Sequence, residues 1–493
     1  MAIPTDYRQD TLGERLERAR AAADVDDFET TWKLANGCLS ENFNDPTAIY
    51  LLAFVALKHD QLGLAYNLFR LVTQIVPDKH EPWNNIGMCF SERWANEDDL
   101  AEAEACFKKA YELCPDDENS MNNLALINIH RYNPEKAVYW ADKALTKNPT
   151  HIQARDNRSL AYLMMGEWRK GWEDYESALG KIEERKERVY ANEVRWDGAK
   201  GKNLVLYGTQ GLGDEISFAS IVPDALRDSA SVVLECDRRL EGLFKRSFPE
   251  AEVFGTRFKT KELHWLKGRK IDARCSTDML GKFYRNDDKD FPGKGFLVPD
   301  PERRVQWRAL FDSLGDRPRI GIAWTGGLPK TGTQKRSLHL TDFVPILKSI
   351  DATWVSLQYK DPSDEIEQLQ ETHGITVHHW PRVGEAFDID ELAAAISELD
   401  LVITVTTAVV HLTGALGKEA WVIAPRKSRW FYRASGDTIP WYQTVHMFRQ
   451  KGGEWPIYDI VRRLQLRYGH HHPADRRDYP HPGRVSPLVI ASA

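Results

Sequence analysis

The sequence predicts an all-helical repeat region followed by an α/β region that contains two parallel-sheet halves. Three prolines, Pro77, Pro115 and Pro149, each end a helical pattern, at spacings of 38 and 34 residues. Further along, two apolar strands within 204–220 and 318–327 each run into a glycine-rich turn. A fixed period of helical pairs is typical of a repeat array. A buried strand that ends in a glycine-rich turn is typical of a ligand-binding α/β sheet.

Composition limits the class of protein. A chain of 493 residues is long enough for two or three domains. Its net charge of -7, from 66 basic and 73 acidic residues, argues against a nucleic-acid partner. The N-terminus lacks a signal-peptide pattern, and the early apolar run at 48–57 is too short to cross a membrane. Six cysteines without a CxxC pair indicate reduced thiols. We therefore expect a soluble, cytoplasmic protein.

The helical region repeats a pattern of small and large residues in front of each proline. Residues four apart share one helix face, and small side chains there let two helices approach closely. With its period of 34, the pattern resembles the tetratricopeptide repeat over about residues 45–180, and a degenerate helix pair before residue 45 would cap the stack. The pairs are Ala65 and Phe69, Ala103 and Phe107, and Ala137 and Ala141.

The repeat resemblance implies a surface for a partner. Stacked repeats form a concave face that usually holds a peptide or a protein. Two alternatives stay open: a plain bundle of helical hairpins, and a stack used as a spacer or dimer contact. The sequence does not indicate the oligomeric state. We place the end of this region, residues 1–185, in a charged segment before the first strand.

The first α/β half begins with a strand, a glycine-rich loop and a helix within 204–220. Glycines let the backbone approach a ligand, and the helix N-terminus offers N–H groups to an anion. Asp214 opens this helix, although a carboxylate would repel a phosphate at the same place. It is therefore interpreted either as a helix cap or as a base that faces a neutral hydroxyl group. The loop residues are Gly208, Gln210, Gly211 and Gly213.

A dinucleotide-binding fold is an alternative for this half. Glu235 ends the second strand 21 residues after Asp214 and imitates the acid that binds a ribose. The glycine spacing is GxxGxG rather than GxGxxG, and Ile216 stands where the third glycine would fall. The spacing therefore argues against a dehydrogenase.

The second α/β half carries two further strand-to-loop transitions. After the strand at 318–323, the loop contains Lys330, Lys335 and Arg336, which suit a diphosphate or a solvated surface loop. After the strand at 401–405, hydroxyl-rich residues start a helix that runs through His411. Such a helix start donates N–H and O–H groups to anions.

Taken in order, these segments resemble a known family. GTQGLGDEISFAS, GIAWTGG, KRSL, WVSLQY, ITVTTAVVHLTGALGK and PWYQTVHMFRQ are similar to heptosyltransferase-type glycosyltransferases, family 9-like enzymes of the GT-B fold. The likeness is greatest to the bacterial branch that fuses tetratricopeptide repeats to such a domain, and it covers about residues 190–460. It implies a helical solenoid followed by two Rossmann-like halves, 186–310 on the acceptor side and 311–465 on the nucleotide-sugar side. Composition predicts a disordered tail over 466–493.

The resemblance also implies roles for individual residues. Asp214 corresponds to the family's catalytic base. Thr406 stands where the family usually has an aspartate, which removes a charge beside the donor. His411 matches a donor-binding position but also suits a core histidine. The donor-binding set is Thr325, Gly326, Gly327, Lys335, Arg336, Thr406, Thr407, Ala408 and His411.

The function implied by the resemblance is an inverting, metal-independent transfer from a nucleotide sugar to an acceptor hydroxyl. By analogy with flagellin-modifying enzymes, the acceptor would be a protein such as flagellin, held by the repeats. A lipid- or saccharide-linked acceptor is the alternative within this class. The alternative outside it is a non-catalytic scaffold with a degenerate nucleotide-sugar domain. We expect no cofactor and no metal, because the adjacent histidines 470–472 have no second ligand cluster.

Overall fold

The computed structural model describes residues 10–93, 97–182, 185–190, 193–258, 263–327, 336–381, 388–425, 428–451 and 453–469. None of the helices in these ranges combines the length and the apolar character that a membrane span needs. The chain forms a helical region followed by two β-sheets.

The described residues up to Tyr175 form ten helices that pack as consecutive antiparallel hairpins. The small and large residues of the sequence pattern lie between them: Ala65, Phe69, Ala137 and Ala141 are fully buried. The helices are α1 (Leu12–Asp24), α2 (Phe28–Glu41), α3 (Pro46–Lys58), α4 (Leu62–Ile75), α5 (His80–Arg93), α6 (Glu97–Leu113), α7 (Glu118–His130), α8 (Pro134–Lys147), α9 (Ile152–Met165) and α10 (Trp168–Tyr175).

The turns inside the hairpins show the repeat in the backbone. Asp26, Asp60, Tyr132 and Gly166 each have a positive φ, between 57° and 80°, and each lies between the two helices of a hairpin. Asp26 and Asp60 are separated by 34 residues, as are Tyr132 and Gly166. The same left-handed turn at the same period confirms the predicted helical repeats.

Within the part of the chain that the structure describes, the first sheet contains five parallel strands in the order β1-β5-β2-β3-β4. The chain starts this core at β2, adds β3 and β4 on one side and returns to add β5 on the other. This places a topological switch point, where α/β sheets bind ligands, at the carboxyl ends of β2 and β5. The elements are β1 (Val194–Arg195), β2 (Asn203–Tyr207), α11 (Leu212–Ala219), α12 (Val222–Asp228), β3 (Ser231–Glu235), α13 (Glu241–Ser247), β4 (Glu252–Phe254), β5 (Ala273–Ser276) and α14 (Leu280–Tyr284).

Among the described residues, the second sheet contains seven strands in the order β11-β12-β10-β9-β6-β7-β8, and their pairs are parallel except β11 with β12. Its switch point lies between β6 and β9. The elements are α15 (Pro301–Asp312), β6 (Arg319–Ala323), α16 (Val344–Leu347), β7 (Thr353–Ser356), α17 (Ser363–His373), β8 (Val377–His378), α18 (Ile389–Ser397), β9 (Leu401–Val405), α19 (Ala408–Ala415), β10 (Ala420–Ala424), β11 (Thr438–Ile439), β12 (Tyr442–Arg449) and α20 (Ile457–Tyr468).

Two of the predicted boundaries fall inside helices. The boundary at 310 lies within α15, which packs against α18 of the second half, where Trp307 Nε1 donates to Glu391 Oε1 at 3.0 Å. Helix α20 continues three residues past 465, to Tyr468. Residues 470–493 of the predicted tail lie outside the described residues.

A buried cluster of aromatic side chains joins the repeats to both sheets. Trp172 is fully buried, lies 5.6 Å from Trp430 between ring centroids, and donates its indole N–H to the carbonyl of Arg285 at 2.6 Å. Trp430 stacks on Phe431 with centroids 4.0 Å apart. We call this cluster the aromatic joint; its members are Trp168, Trp172, Tyr175, Phe218, Phe291, Trp430, Phe431 and Trp441.

Replacing a member of the aromatic joint should destabilise the whole chain. We expect Trp172→Ala to lower the free energy of unfolding by about 3–5 kcal/mol, because it removes a buried indole and leaves a cavity between three parts of the fold. Denaturant unfolding of the full chain measures this change. The control is Trp32→Ala, since Trp32 is 40% exposed on α2; equal losses for the two variants would contradict a joint at Trp172.

Candidate functional site

The two switch points face each other across the junction of the two sheets. Helix α11 of the first half packs against helix α19 of the second half at their N-terminal ends. The approach is close at Gly213, where a Cβ atom would lie 3.3 Å from Ala408 Cα and 3.0 Å from His411 Cδ2. The structure thus brings the predicted glycine-rich loop and the predicted donor-binding helix into contact at one junction, which we call the cleft, although they lie about 200 residues apart in the sequence.

Asp214 lies at the centre of this cleft and is 7% exposed. Its Oδ2 accepts a hydrogen bond from the backbone N–H of Gly211 at 3.0 Å, so the side chain caps the start of α11. The same carboxylate forms an ion pair with the opposite half: Nη1 of Arg429 lies 2.8 Å from Oδ1 and 2.9 Å from Oδ2. The side chain therefore acts as a cap and also faces the second half.

Arg429 could not be predicted from the sequence. It lies in no recognisable motif, and it is separated from Asp214 by 215 residues. Its side chain is about half exposed, and the negative charge of Asp214 raises the pKa of its guanidinium. No periodicity or spacing in the sequence pairs these two positions.

A buried ion pair holds the glycine-rich loop in place. Arg257 binds the carboxylate of Glu215 and also donates to the carbonyl of Gln210. Glu215 further accepts the N–H of Asp237 at 2.8 Å, and burial raises the pKa of this carboxyl to about 7. A Cβ atom at Gly208 would lie 2.8 Å from the Glu215 carboxyl carbon, which explains the glycine there. The loop is thus fixed from behind by side chains that do not face the cleft.

Glu235, the acid at the position of a ribose-binding residue, is bound by other side chains of this protein. Glu235 is fully buried, and its oxygens accept hydrogen bonds from Tyr190 Oη and Thr256 Oγ1, both at 2.7 Å. Arg188 also forms an ion pair with it at 2.7 Å. Its role in this structure is to brace the end of β3.

The loop after β6 lies beside the start of α19. A Cβ atom at Gly326 would collide with the side chain of Thr407, so the two strand ends are in direct contact. The amide oxygen of Gln358 accepts the backbone N–H groups of Trp324 at 3.1 Å and Thr325 at 3.3 Å. Gly327 has a φ of +86° and contacts the guanidinium of Arg336. Thr325, Gly326, Gly327 and Arg336 are therefore close neighbours, as the sequence pattern predicts.

Positive charge accumulates on the second-half side of the cleft. Burial lowers the pKa of the Arg336 guanidinium, and the positive charge of Arg429 lowers it further. Thr407 caps α19, its Oγ1 accepting the N–H of Val409 at 3.1 Å, while Thr406 is 4% exposed. Lys335, also predicted to bind the donor, lies outside the described residues.

His411 joins the two halves. Its ring is buried, with Nδ1 2.7 Å from Ser217 Oγ of α11 and Nε2 3.1 Å from Tyr432 Oη. Burial lowers the pKa of this histidine to about 4, so the ring is neutral at physiological pH. Both ring nitrogens have protein partners, an arrangement typical of a core histidine and not of a group that faces a ligand.

The last repeat reaches the glycine-rich loop directly. Tyr175 of α10 accepts a hydrogen bond from the amide of Gln210, and Thr209 Oγ1 donates to Asp278 Oδ2 at 2.8 Å. Asp278 follows β5 and is fully buried, so it lies at the first switch point. The positions of Tyr175 and Asp278 beside the loop could not be predicted from the sequence, because neither residue belongs to a glycine or phosphate motif.

A row of amide side chains runs along the first helices of the repeats. Asn85 Nδ2 donates to Tyr50 Oη at 2.8 Å, Asn123 Nδ2 to Asn84 Oδ1 at 3.0 Å, and Asn157 Nδ2 to Asn122 Oδ1 at 2.9 Å. We call these six residues the amide row. Each bond links neighbouring repeats, so the row follows the stack.

No protein-family model matches this sequence. The chain is similar to Protein FlbA of Caulobacter vibrioides, with 27% identity over an alignment of 536 positions that covers 90% of this chain and 87% of that protein. A shorter similarity, 26% over 150 residues, is to BBSome complex member BBS4 of Mus musculus and covers 30% of this chain and 25% of that protein.

The first part of the chain is a helical repeat array with left-handed turns 34 residues apart. Solved structures similar to it include TTC0263, a tetratricopeptide-repeat protein of Thermus thermophilus, with 20% identity, a TM-score of 0.32 and coverage of 35% of this chain and 92% of that chain. YrrB, a tetratricopeptide-repeat protein with an unusual peptide-binding site, has 14% identity, a TM-score of 0.28 and coverage of 36% of this chain and 92% of that chain.

Within the described ranges, no three side chains of His, Cys, Asp or Glu form a group that could hold a metal ion.

The burial of His411 should make stability depend on pH. The unfolded chain takes up a proton near pH 6.5, whereas the folded chain does so only near pH 4. Folding stability that is present above pH 6.5 is therefore lost as the pH falls towards 4, by about 1.4 kcal/mol per pH unit.

Comparison of urea unfolding between pH 7.5 and 4.5 for the wild type and His411→Gln isolates this contribution. The variant should show a shallower loss of stability on acidification. His373→Gln, at an exposed position on α17, serves as the control and should follow the wild type. Parallel profiles for wild type and His411→Gln would refute the buried, neutral histidine.

Proposed function

We propose that this chain is an inverting glycosyltransferase of the GT-B type that transfers a sugar from a nucleotide sugar to a hydroxyl group on a protein. The observation that supports this proposal is the pairing of functions across one cleft. Asp214 lies on the first half, while Arg429, Arg336 and the start of α19 face it from the second half. A carboxylate opposite a positively charged anion site is the combination that such a transfer needs.

The donor's phosphate groups would lie against the second half. The backbone of Thr325 to Gly327, the Arg336 guanidinium and the N-terminus of α19 border the same space at the switch point between β6 and β9. Backbone N–H groups and guanidinium groups stabilise phosphate oxygens, and arginine can do so with two parallel hydrogen bonds. Lys335 is a further candidate from the sequence pattern. His411, bound to Ser217 and Tyr432, would keep the two halves together and not contact the phosphates.

The transfer step would use Asp214 as the base. The acceptor oxygen forms a bond to the anomeric carbon while its proton passes to the Asp214 carboxylate. The bond between the anomeric carbon and the phosphate oxygen breaks, and its electron pair leaves with the nucleotide. The positive groups of the second half would stabilise that leaving charge in the place of a metal ion. Attack from the face opposite the leaving group inverts the anomeric centre.

The repeats would present the acceptor. An extended peptide offers N–H and C=O groups along its length, and the partly exposed Asn84, Asn85 and Asn123 of the amide row offer complementary groups, whereas Asn122 and Asn157 are buried. The row ends at α9, whose neighbour α10 supplies Tyr175 to the glycine-rich loop. A protein segment bound along the row is therefore led towards Asp214. The resemblance of the sequence to flagellin-modifying enzymes makes flagellin the first acceptor to test.

The first prediction for this function concerns donor binding and turnover. One nucleotide sugar from a panel should raise the melting temperature of the full chain, since a ligand at 100 times its Kd stabilises by about 2.7 kcal/mol. Asp214→Asn should keep donor binding but lower kcat by about 10²–10⁴-fold, because it removes the base. A radiolabelled-donor transfer assay to flagellin measures this loss.

Different failures point to different conclusions. Unchanged kcat in Asp214→Asn would overturn its role as the base. A donor that binds without transfer to flagellin or to lipid-linked acceptors would favour a non-catalytic scaffold, an interpretation that Thr406 at the usual aspartate position also supports. No stabilisation by any nucleotide sugar would overturn the glycosyltransferase proposal.

The second prediction concerns the amide row. The double variant Asn84→Ala with Asn123→Ala should raise the KM for flagellin about tenfold, because two side chains that bind the peptide backbone are lost. The kcat at saturating acceptor and the KM for the donor should stay unchanged. Asn67→Ala, at an exposed position on α4, is the matched control. An unchanged KM for flagellin in the double variant would show that the acceptor does not use this face.

A further inference from the structure

Arg429 is paired directly with the proposed base. Both oxygens of the Asp214 carboxylate lie within 2.9 Å of its Nη1 atom, and Oδ2 is also taken by the N–H of Gly211. In this arrangement the carboxylate directs its oxygens towards two protein donors. An acceptor hydroxyl would have to compete with a guanidinium group for the same atoms. The base is therefore occupied in the structure described here.

Arg429 can leave Asp214 for an anion of higher charge. Its side chain is about half exposed, whereas Asp214 is nearly buried, so the arginine can turn towards solvent more easily than the aspartate. A nucleotide's phosphates carry more negative charge than the single Asp214 carboxylate and can accept both N–H groups of a guanidinium fork, so they would compete with the carboxylate for Arg429.

We propose that the donor's phosphate takes Arg429 away from Asp214, so that the base is released only after the nucleotide sugar is bound. This inference rests on the proposed glycosyl transfer and adds an order of events to it. In the chain without donor, the ion pair keeps Asp214 from accepting a proton. With donor bound, Arg429 contacts the phosphate, and Asp214 is left with its cap to Gly211 and one oxygen for the acceptor hydroxyl.

The exchange also places each charge where the reaction needs it. When the acceptor proton passes to Asp214, the carboxylate becomes neutral and no longer attracts a cation. At the same moment, the electron pair of the breaking bond moves to the phosphate oxygen, where Arg429 has moved. Arg429 is then a catalytic residue that contacts the leaving group. In the ligand-free protein, its ion pair with Asp214 competes with this contact.

Competition makes an unusual prediction for nucleotide affinity. Asp214→Asn should bind the free nucleotide about fivefold to tenfold more tightly than the wild type, because Arg429 no longer has to leave a carboxylate. Arg429→Gln should bind about 10–100-fold more weakly, since a charge-assisted contact to phosphate is lost. When Arg429→Gln is already present, adding Asp214→Asn should raise the affinity for the nucleotide by less than about twofold, because the arginine that the carboxylate binds is absent.

The experiment is isothermal titration of the full-length chain and the three variants with UDP, GDP, ADP, dTDP and CMP. The matched control is Arg433→Gln, an arginine from the same segment that pairs with Asp288 and with the Met165 carbonyl, and it should bind as the wild type does. Thermal unfolding of each variant confirms that it is folded. Arg429→Lys, which keeps the charge but loses the fork, should fall between wild type and Arg429→Gln.

The outcomes distinguish failure of the competition for Arg429 from failure of the proposed glycosyl transfer. An equal gain from Asp214→Asn with and without Arg429 would mean simple repulsion of the phosphate by the carboxylate, and it would overturn the competition. Wild-type affinity in Arg429→Gln would likewise overturn it, while leaving the glycosyl transfer intact. Failure of every nucleotide and nucleotide sugar to bind the wild type would overturn the proposed function and this inference together.

Discussion

The relative position of the repeats and the two sheets depends on one packing arrangement, the aromatic joint. Trp168, Trp172 and Tyr175 come from the last repeat helix, and they pack against Trp430 of the second half, while Phe291 packs against Trp168. Large aromatic rings bury much apolar area and allow only a few offset or edge-on arrangements. A joint of this kind fixes both distance and angle. Arg429 immediately precedes Trp430, so the joint also determines where the cation of the cleft can lie.

The polar contacts of the cleft are consistent with that constraint. Ion pairs and hydrogen bonds across the junction, such as Asp214 with Arg429 and Ser217 with His411, need an accuracy of a few tenths of an ångström. Flexible domains would not hold such contacts. Behind the loop, Arg257 links Glu215 to the carbonyl of Gln210, so the glycine-rich backbone has little freedom. Apolar packing thus places the halves, and buried polar groups then fix the loop that carries Asp214.

Much of the fold could be predicted because its signals are local. A helix face, a capping residue and a strand that ends in glycine each need fewer than about fifteen neighbouring residues to be recognised. The strand at 401–405 and the turn period of 34 residues are therefore found where the pattern indicates. The grouping of Thr325 to Gly327 with Thr407 could also be predicted, because parallel strands place their carboxyl ends at one edge of a sheet.

The sequence by itself determined the repeat period, the order of strands and helices, and the loops at the two switch points, since these depend on local periodicity and turn chemistry. Only the tertiary structure decided that Asp214 pairs with Arg429, that His411 is a buried link and that Tyr175 contacts the glycine-rich loop. Asp214 and Arg429 belong to different α/β halves, and Tyr175 belongs to the repeats whereas its partner Gln210 belongs to the first half. Their proximity is set by how whole layers pack, a property that no spacing along the chain encodes.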